Sequence, residues 1–192
     1  ISACLVGSEM CIRDSQIGVW KAMRQLGLSI DLVTGISVGA LNGAFVMQDY
    51  FDQAEKMWST ISTPDVLDHD PKSSEDFTDY TKNLISLAVK ALSQGGIKTD
   101  PLRRLIDYYL MDQDQLDQLP VQFGLVVTND ETIESEEYFV NNRPRQEICD
   151  LLMASASLFP ILEKTRIGQD DYIDGAYRNH IPLSLAQSQD PD

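Results

Sequence analysis

Apolar positions along this chain recur at two spacings, and the changes from one to the other mark its elements. Ile17, Trp20, Met23 and Leu26 fall three apart, the repeat of one helix face, and predict a core-facing helix over Gln16–Leu26 with Gly27 as its C-terminal cap. Ile30–Val33, branched and apolar apart from Asp31, predicts a short buried strand. Ala40–Met47 carries apolar and small residues on most faces and predicts a buried helix. Ala54, Met57, Trp58 and Ile61 place another helix over Asp52–Ile61, ended by Pro64.

Thr63–Thr81 is polar and acidic and reads as a surface loop or lid hinge. Leu84, Leu87, Ala88, Ala91 and Leu92 mark an amphipathic helix closed by Gly95-Gly96. Asp100 as cap and Pro101 at the first helical position open a helix carried by Leu102, Leu105, Ile106 and Tyr109 toward Leu110. After an acidic, Gln-rich connector over Met111–Gln118, Pro120–Thr128 predicts a core strand and Glu137–Val140 a shorter strand at an edge. Pro144 precedes a helix through Ile148, Leu151 and Leu152 that runs into Ala154-Ser155-Ala156-Ser157, whose small side chains predict close helix-to-sheet packing. Pro160 and Gly168 bracket an irregular piece, and Tyr172-Ile173 is a brief strand ending on Asp174-Gly175-Ala176.

Strands alternating with helices, with no internal repeat, predict an α/β fold. Its sheet is expected to be mostly parallel and covered by helices on both faces, with the site at the C-terminal strand ends. Residues 1–15 fit no period and stand apart as an atypical, non-native-looking segment, which leaves 16–192 as the domain. Because the chain starts at Ile1 and stops at Asp192, both ends are expected to be truncated.

Composition narrows the function. The 192 residues suffice for one domain with a sizeable core. A formal net charge of −15 argues against electrostatic binding of nucleic acid or an anionic membrane, since both need clustered Lys and Arg. Contact with a membrane or micelle would have to be transient and apolar. The three cysteines, Cys4, Cys11 and Cys149, form no disulfide framework, which points to a reducing, cytoplasmic setting. No apolar run approaches the 18 or so residues of a membrane span.

The chemistry concentrates where the first strand meets its helix. Gly35-Ile36-Ser37-Val38-Gly39 is a G-x-S-x-G turn, and between a strand and a helix it holds a serine hydroxyl exposed above a sheet edge at a helix N-terminus. Side chains at Gly35 or Gly39 are expected to collide with the neighbouring strand and helix. The three fixed positions alone recur by chance in roughly one chain of this length in fifteen. The flanking elements therefore carry the signal, and a Ser37 that merely caps the helix is the competing reading.

A serine hydroxyl needs a nearby proton acceptor. Asp174 stands at a strand end before Gly175, where a turn can aim its carboxylate back across the crevice, although Asp-Gly is also a common turn dipeptide. His180 leaves a Ser37, acid, His180 triad formally open. His69, in an acidic loop with no second histidine near it, is an unpromising metal ligand.

Taken together and in order, GISVGALNGA, PLRRLIDYYL, ASASLFPIL and YIDGAYRNHIPLSLA resemble the patatin-like phospholipase family over Gln16–Ala186. The resemblance implies a Ser37–Asp174 dyad, with Asp174 as general base, Gly35, Gly39 and Gly175 as supporting glycines, and no metal or organic cofactor. It implies fatty-acyl esters of glycerolipids as substrates. An ordinary aspartate, with pKa near 3.9, is a weak base for this task, so the dyad calls for a low-dielectric crevice. The chain departs from the family at Ser8–Arg13, where a glycine-rich oxyanion loop is expected, and no oxyanion residue is assigned. An α/β-hydrolase-type esterase using Ser37 and His180, and a non-catalytic lipid-binding domain, are the alternatives.

Overall fold

The computed structural model describes residues 15–66 and 95–188. The expected helix through Leu84–Leu92, the loop holding His69, Cys4, Cys11 and the segment Ser8–Arg13 lie outside them.

The first helix, α1 (residues 15–25), buries Ile17 and Trp20 as predicted. Leu26 does not join them: it lies past the helix end and is 75% exposed. There Gly27, at φ 68°, turns the chain away, with its N–H on the Arg24 carbonyl and the Leu28 N–H on that of Met23. Strand β1 (Leu32–Gly35) follows, then α2 (Val38–Met47) and α3 (Phe51–Thr60). Pro64 does not simply end a helix but enters a one-turn helix, α4 (Thr63–Val66), inside the segment expected to be loop.

In α5 (Asp100–Tyr109) the cap position is held by Thr99, not Asp100, and the Thr99 N–H is taken by Glu163 Oε1 at 2.9 Å. The acidic connector contains another single turn, α6 (Gln113–Leu116), which buries Leu116. Strand β2 (Gln122–Asn129), edge strand β3 (Ser135–Phe139) and α7 (Arg145–Ser155) match the predicted elements closely. The piece expected to be irregular contributes β4 (Thr165–Ile167), which pairs with β5 (Asp170–Asp174). A 3-10 turn (Gly175–Tyr177) and α8 (Leu183–Gln187) complete the described chain.

The sheet is mixed, which corrects the expectation of a mostly parallel one. Among the described strands only β1 and β2 are parallel, while β3 and β5 both run antiparallel to β2, and β4 antiparallel to β5. Connection length is the physical reason. A parallel return needs a crossover of a dozen or more residues, whereas five residues link β2 to β3 and two link β4 to β5. Asn129 builds the first of these turns, its Oδ1 accepting the N–H groups of Glu131 and Thr132 at 3.0 and 3.2 Å.

From Phe123 to Asn129 every residue of β2 is buried, so this strand is the axis of the core. Phe123, Leu125 and Val127 share one cluster with Ala40 and Ala44 of α2, Leu102 and Ile106 of α5, and Leu151 and Leu152 of α7. On the other face Leu185 of α8 rests on Gly124, so both faces carry a helix. A second cluster, with Ile17, Trp20, Phe45, Phe51, Ala54 and Met57, fastens α1 and α3 to the outer side of α2. Trp20 and Phe51 meet edge to face there, 5.1 Å between ring centroids. The result clamps α2 between the sheet and two outer helices, so its N-terminus is rigidly held.

Candidate active site

Register along β2 brings the two candidate catalytic residues together. β1 pairs with its first half, Gly35 opposite Leu125, and β5 with its second half, Asp174 opposite Val127. Because β3 occupies the other edge of β2 over the same stretch, β1 and β5 share one edge and run toward each other along it. Their C-terminal ends face each other across Val126. Ser37 is two residues beyond one end, and Asp174 is the other.

Ser37 sits at φ 55°, ψ −126°, a backbone conformation that L-residues seldom adopt and that costs of order 1–3 kcal/mol. The sharp turn brings the chain close to itself: a Cβ on Gly35 would lie 2.2 Å from the Gly39 carbonyl oxygen, so that glycine is obligatory. Gly39 is not. A Cβ there would meet only Gln16 Nε2 at 3.5 Å, an ordinary contact, which corrects the expected collision. Ser37 occupies the cap position of α2, yet its side chain makes no capping hydrogen bond, and the residue is partly exposed. The reading of Ser37 as a plain helix cap therefore fails.

The N–H groups of the turn are nearly all spent. Gly39 donates to Ile36, Ala40 and Leu41 both donate to the Ser37 carbonyl, and the Ser37 N–H goes to Ser155 Oγ at 3.1 Å. Among the described residues the N–H of Val38 has no acceptor, and it points from the positive end of the α2 dipole.

Asp174 is 1% exposed. Burial pushes its pKa up, while the Ser37 hydroxyl, as a hydrogen-bond donor, and the Ala176 N–H pull it back. Its Oδ1 accepts that N–H at 2.8 Å, which caps the 3-10 turn. Asp174 is thus the turn residue its Asp-Gly dipeptide suggested. Gly175 is required by close approach, since a Cβ there would stand 2.4 Å from the Val126 carbonyl oxygen.

His180 is not part of this arrangement: its side chain is exposed and makes no hydrogen bond to Ser37 or Asp174. Cys149 is a buried free thiol in α7, its pKa pushed up by burial, and takes no part either. The described residues include no cluster of His, Cys, Asp or Glu able to hold a metal ion, and no helix among them is long and apolar enough to cross a membrane. A groove of about 360 Å³ between Leu116, Pro120, Gln122 and Phe139 lies at the N-terminal end of β2, whereas the Ser37 turn stands beside its middle.

Ser155 and Ser157 were missed as site residues. Their run of small residues signalled close packing, but not that Ser155 Oγ bonds the Ser37 N–H, nor that the Ser157 carbonyl accepts the Asp174 N–H at 2.9 Å. A serine placed among buried apolar neighbours in a helical pattern was the available cue, because a buried hydroxyl must find partners.

In fold the chain is similar to the crystal structure of VipD from Legionella pneumophila, with a TM-score of 0.54 and 16% sequence identity over 88% of this chain. That likeness takes in 44% of the VipD chain, so the protein described here spans less than half the length of that relative. The family model of the patatin-like phospholipases matches residues 15–186, a stretch that contains both motifs and every strand of the described residues, and the chain belongs to the patatin-like phospholipase family.

Proposed function

We propose that the protein is a serine acyl hydrolase that cleaves fatty-acyl esters of glycerolipids, in the manner of a phospholipase A or lysophospholipase, through a Ser37–Asp174 dyad. The family comprises lipid acyl hydrolases. The observation that supports the dyad is the convergence of β1 and β5 on one edge of β2, which sets Ser37, in its strained turn, beside the buried carboxylate of Asp174.

In the first half-reaction Ser37 Oγ attacks the ester carbonyl carbon as Asp174 takes the hydroxyl proton. Negative charge develops on the carbonyl oxygen near the N-terminus of α2, where the Val38 N–H, which has no acceptor among the described residues, can meet it. The carbon–oxygen bond to the alcohol breaks, and the proton held by Asp174 passes to the departing oxygen. In the second half-reaction Asp174 takes a proton from water, whose oxygen attacks the acyl carbon; the ester to Ser37 breaks, the fatty acid leaves and the serine recovers its proton. A carboxylate raised in pKa by burial is a better match to this work than an exposed one.

Labelling by a fluorophosphonate probe, together with release of fatty acid from phosphatidylcholine micelles, tests the reading. Ser37→Ala and Asp174→Asn are expected to abolish both, and His180→Ala to keep most of each. Loss on replacing His180 with retention in Asp174→Asn would turn the assignment to a histidine-dependent esterase. Absence of labelling in the unaltered protein would favour a non-catalytic lipid-binding domain.

A further inference from the structure

Between the facing ends of β1 and β5 the ladder along β2 is interrupted at Val126. Its carbonyl faces that gap, with Gly175 lying against it, and the hydroxyl that fills the position is Ser155 Oγ, which donates to the Val126 carbonyl at 2.7 Å. A hydroxyl has one proton, and it is committed to that carbonyl. The oxygen is left as acceptor for the Ser37 N–H at 3.1 Å. Ser155 is fully buried at the C-terminal end of α7, so the contact is rigid and dry. Two residues later the Ser157 carbonyl takes the Asp174 N–H at 2.9 Å. One short segment therefore holds the backbone of both members of the pair, and Ser155 is the only side chain in it that reaches Ser37.

We infer that Ser155 is a positioning residue for Ser37: its hydroxyl, anchored on the central strand, fixes the strained serine in the orientation that aims Oγ at Asp174. The inference rests on the acyl-hydrolase reading. Without the Ser155 hydroxyl, the Ser37 N–H and the Val126 carbonyl both lose their partner, and the serine is free to relax out of its strained state. Misplacement of a reacting group by about 1 Å costs on the order of 10²-fold in rate.

The experiment compares Ser155→Ala with Thr165→Val. Thr165 is also a buried hydroxyl, bonded to Ser157 Oγ at 2.8 Å, but it reaches neither Ser37 nor Asp174. With p-nitrophenyl butyrate, at a temperature where all proteins are folded, Ser155→Ala is expected to lose about 10- to 100-fold in kcat with KM barely changed, and fluorophosphonate labelling should slow in step. Thr165→Val should keep kcat while losing thermal stability. Amide hydrogen exchange at Ser37 should accelerate in Ser155→Ala and not in Thr165→Val. If Ser155→Ala does not fold, Ser155→Cys, with a weaker donor and acceptor of similar shape, should give an intermediate loss in kcat. Wild-type kcat in a folded Ser155 variant, or a Ser37 amide as protected as before, overturns the inference. Failure of the unaltered protein to label counts instead against the acyl-hydrolase reading, and Ser155 is then judged on the Ser37 amide alone.

Discussion

Gly35 and Asp174 end two strands that approach each other along the same edge of β2, paired with Leu125 and Val127 respectively. One intervening residue, Val126, separates them in register. A serine two residues past the first end and a carboxylate at the second are thereby set side by side, although Ser37 and Asp174 are 137 positions apart in the sequence.

Strain at Ser37 implies an opposition between stability and activity. Ser37→Gly places the residue type that tolerates φ 55° at that position, and is expected to stabilise the fold by about 1 kcal/mol, raising Tm by roughly 2–4 °C, while eliminating fluorophosphonate labelling. Calorimetry checks the first part; a glycine variant less stable than wild type would contradict the strained turn.

The raised pKa of Asp174 sets the acid limb of the pH profile. As general base it must be ionised, so kcat/KM should fall as pH drops through an apparent pKa above the ordinary carboxylate value of about 3.9. Asp174→Asn should lose on the order of 10² to 10⁴ in rate and abolish that limb in any residual activity. A profile whose acid limb follows a histidine, and disappears in His180→Ala, would contradict it.

Stability should depend on the same group with a definite sign. Since the folded pKa lies above the unfolded one, the folded state binds the proton more tightly, and burying the ionised carboxylate costs stability. That cost is absent below the unfolded value, grows as pH rises toward the folded one, and is fully present above it. Asp174→Asn, whose amide oxygen can still accept the Ala176 N–H, should therefore be at least as stable as wild type at neutral pH and lose this advantage in acid. Denaturant melts at two pH values measure the difference.

The glycines of the two motifs should respond unequally. Gly35→Ala and Gly175→Ala drive a Cβ to 2.2 and 2.4 Å from backbone carbonyl oxygens that cannot move without disturbing the sheet or α2, and both are expected to destabilise strongly and disrupt the pair. Gly39→Ala, in the first turn of α2 with ordinary helical space around it, should be neutral or stabilising by up to about 1 kcal/mol. Thermal unfolding of the three variants would show it.

Much of this architecture was legible along the chain. The central strand announced itself as PVQFGLVVT, a buried run with β-branched residues, and the helix before the serine by Ile17 and Trp20. Where the reading failed, the deciding contact came from far away. Thr99 displaced Asp100 as the cap of α5 beside Glu163, and β4 escaped notice because three residues form a strand only where β5 lies next to them. Leu26 satisfied the helical repeat yet stays exposed, since periodicity marks a face without saying whether anything covers it.

By itself the sequence determined the two local motifs, a serine between glycines at a strand-to-helix turn and an aspartate before a glycine at a strand end. Both depend on backbone geometry that neighbouring residues dictate. Only the tertiary structure decided that these ends meet, that the sheet is mixed, and that Ser155 stands between them. Strand register and direction are settled by pairing along β2, and no spacing within either motif encodes which edge of that strand the other will occupy.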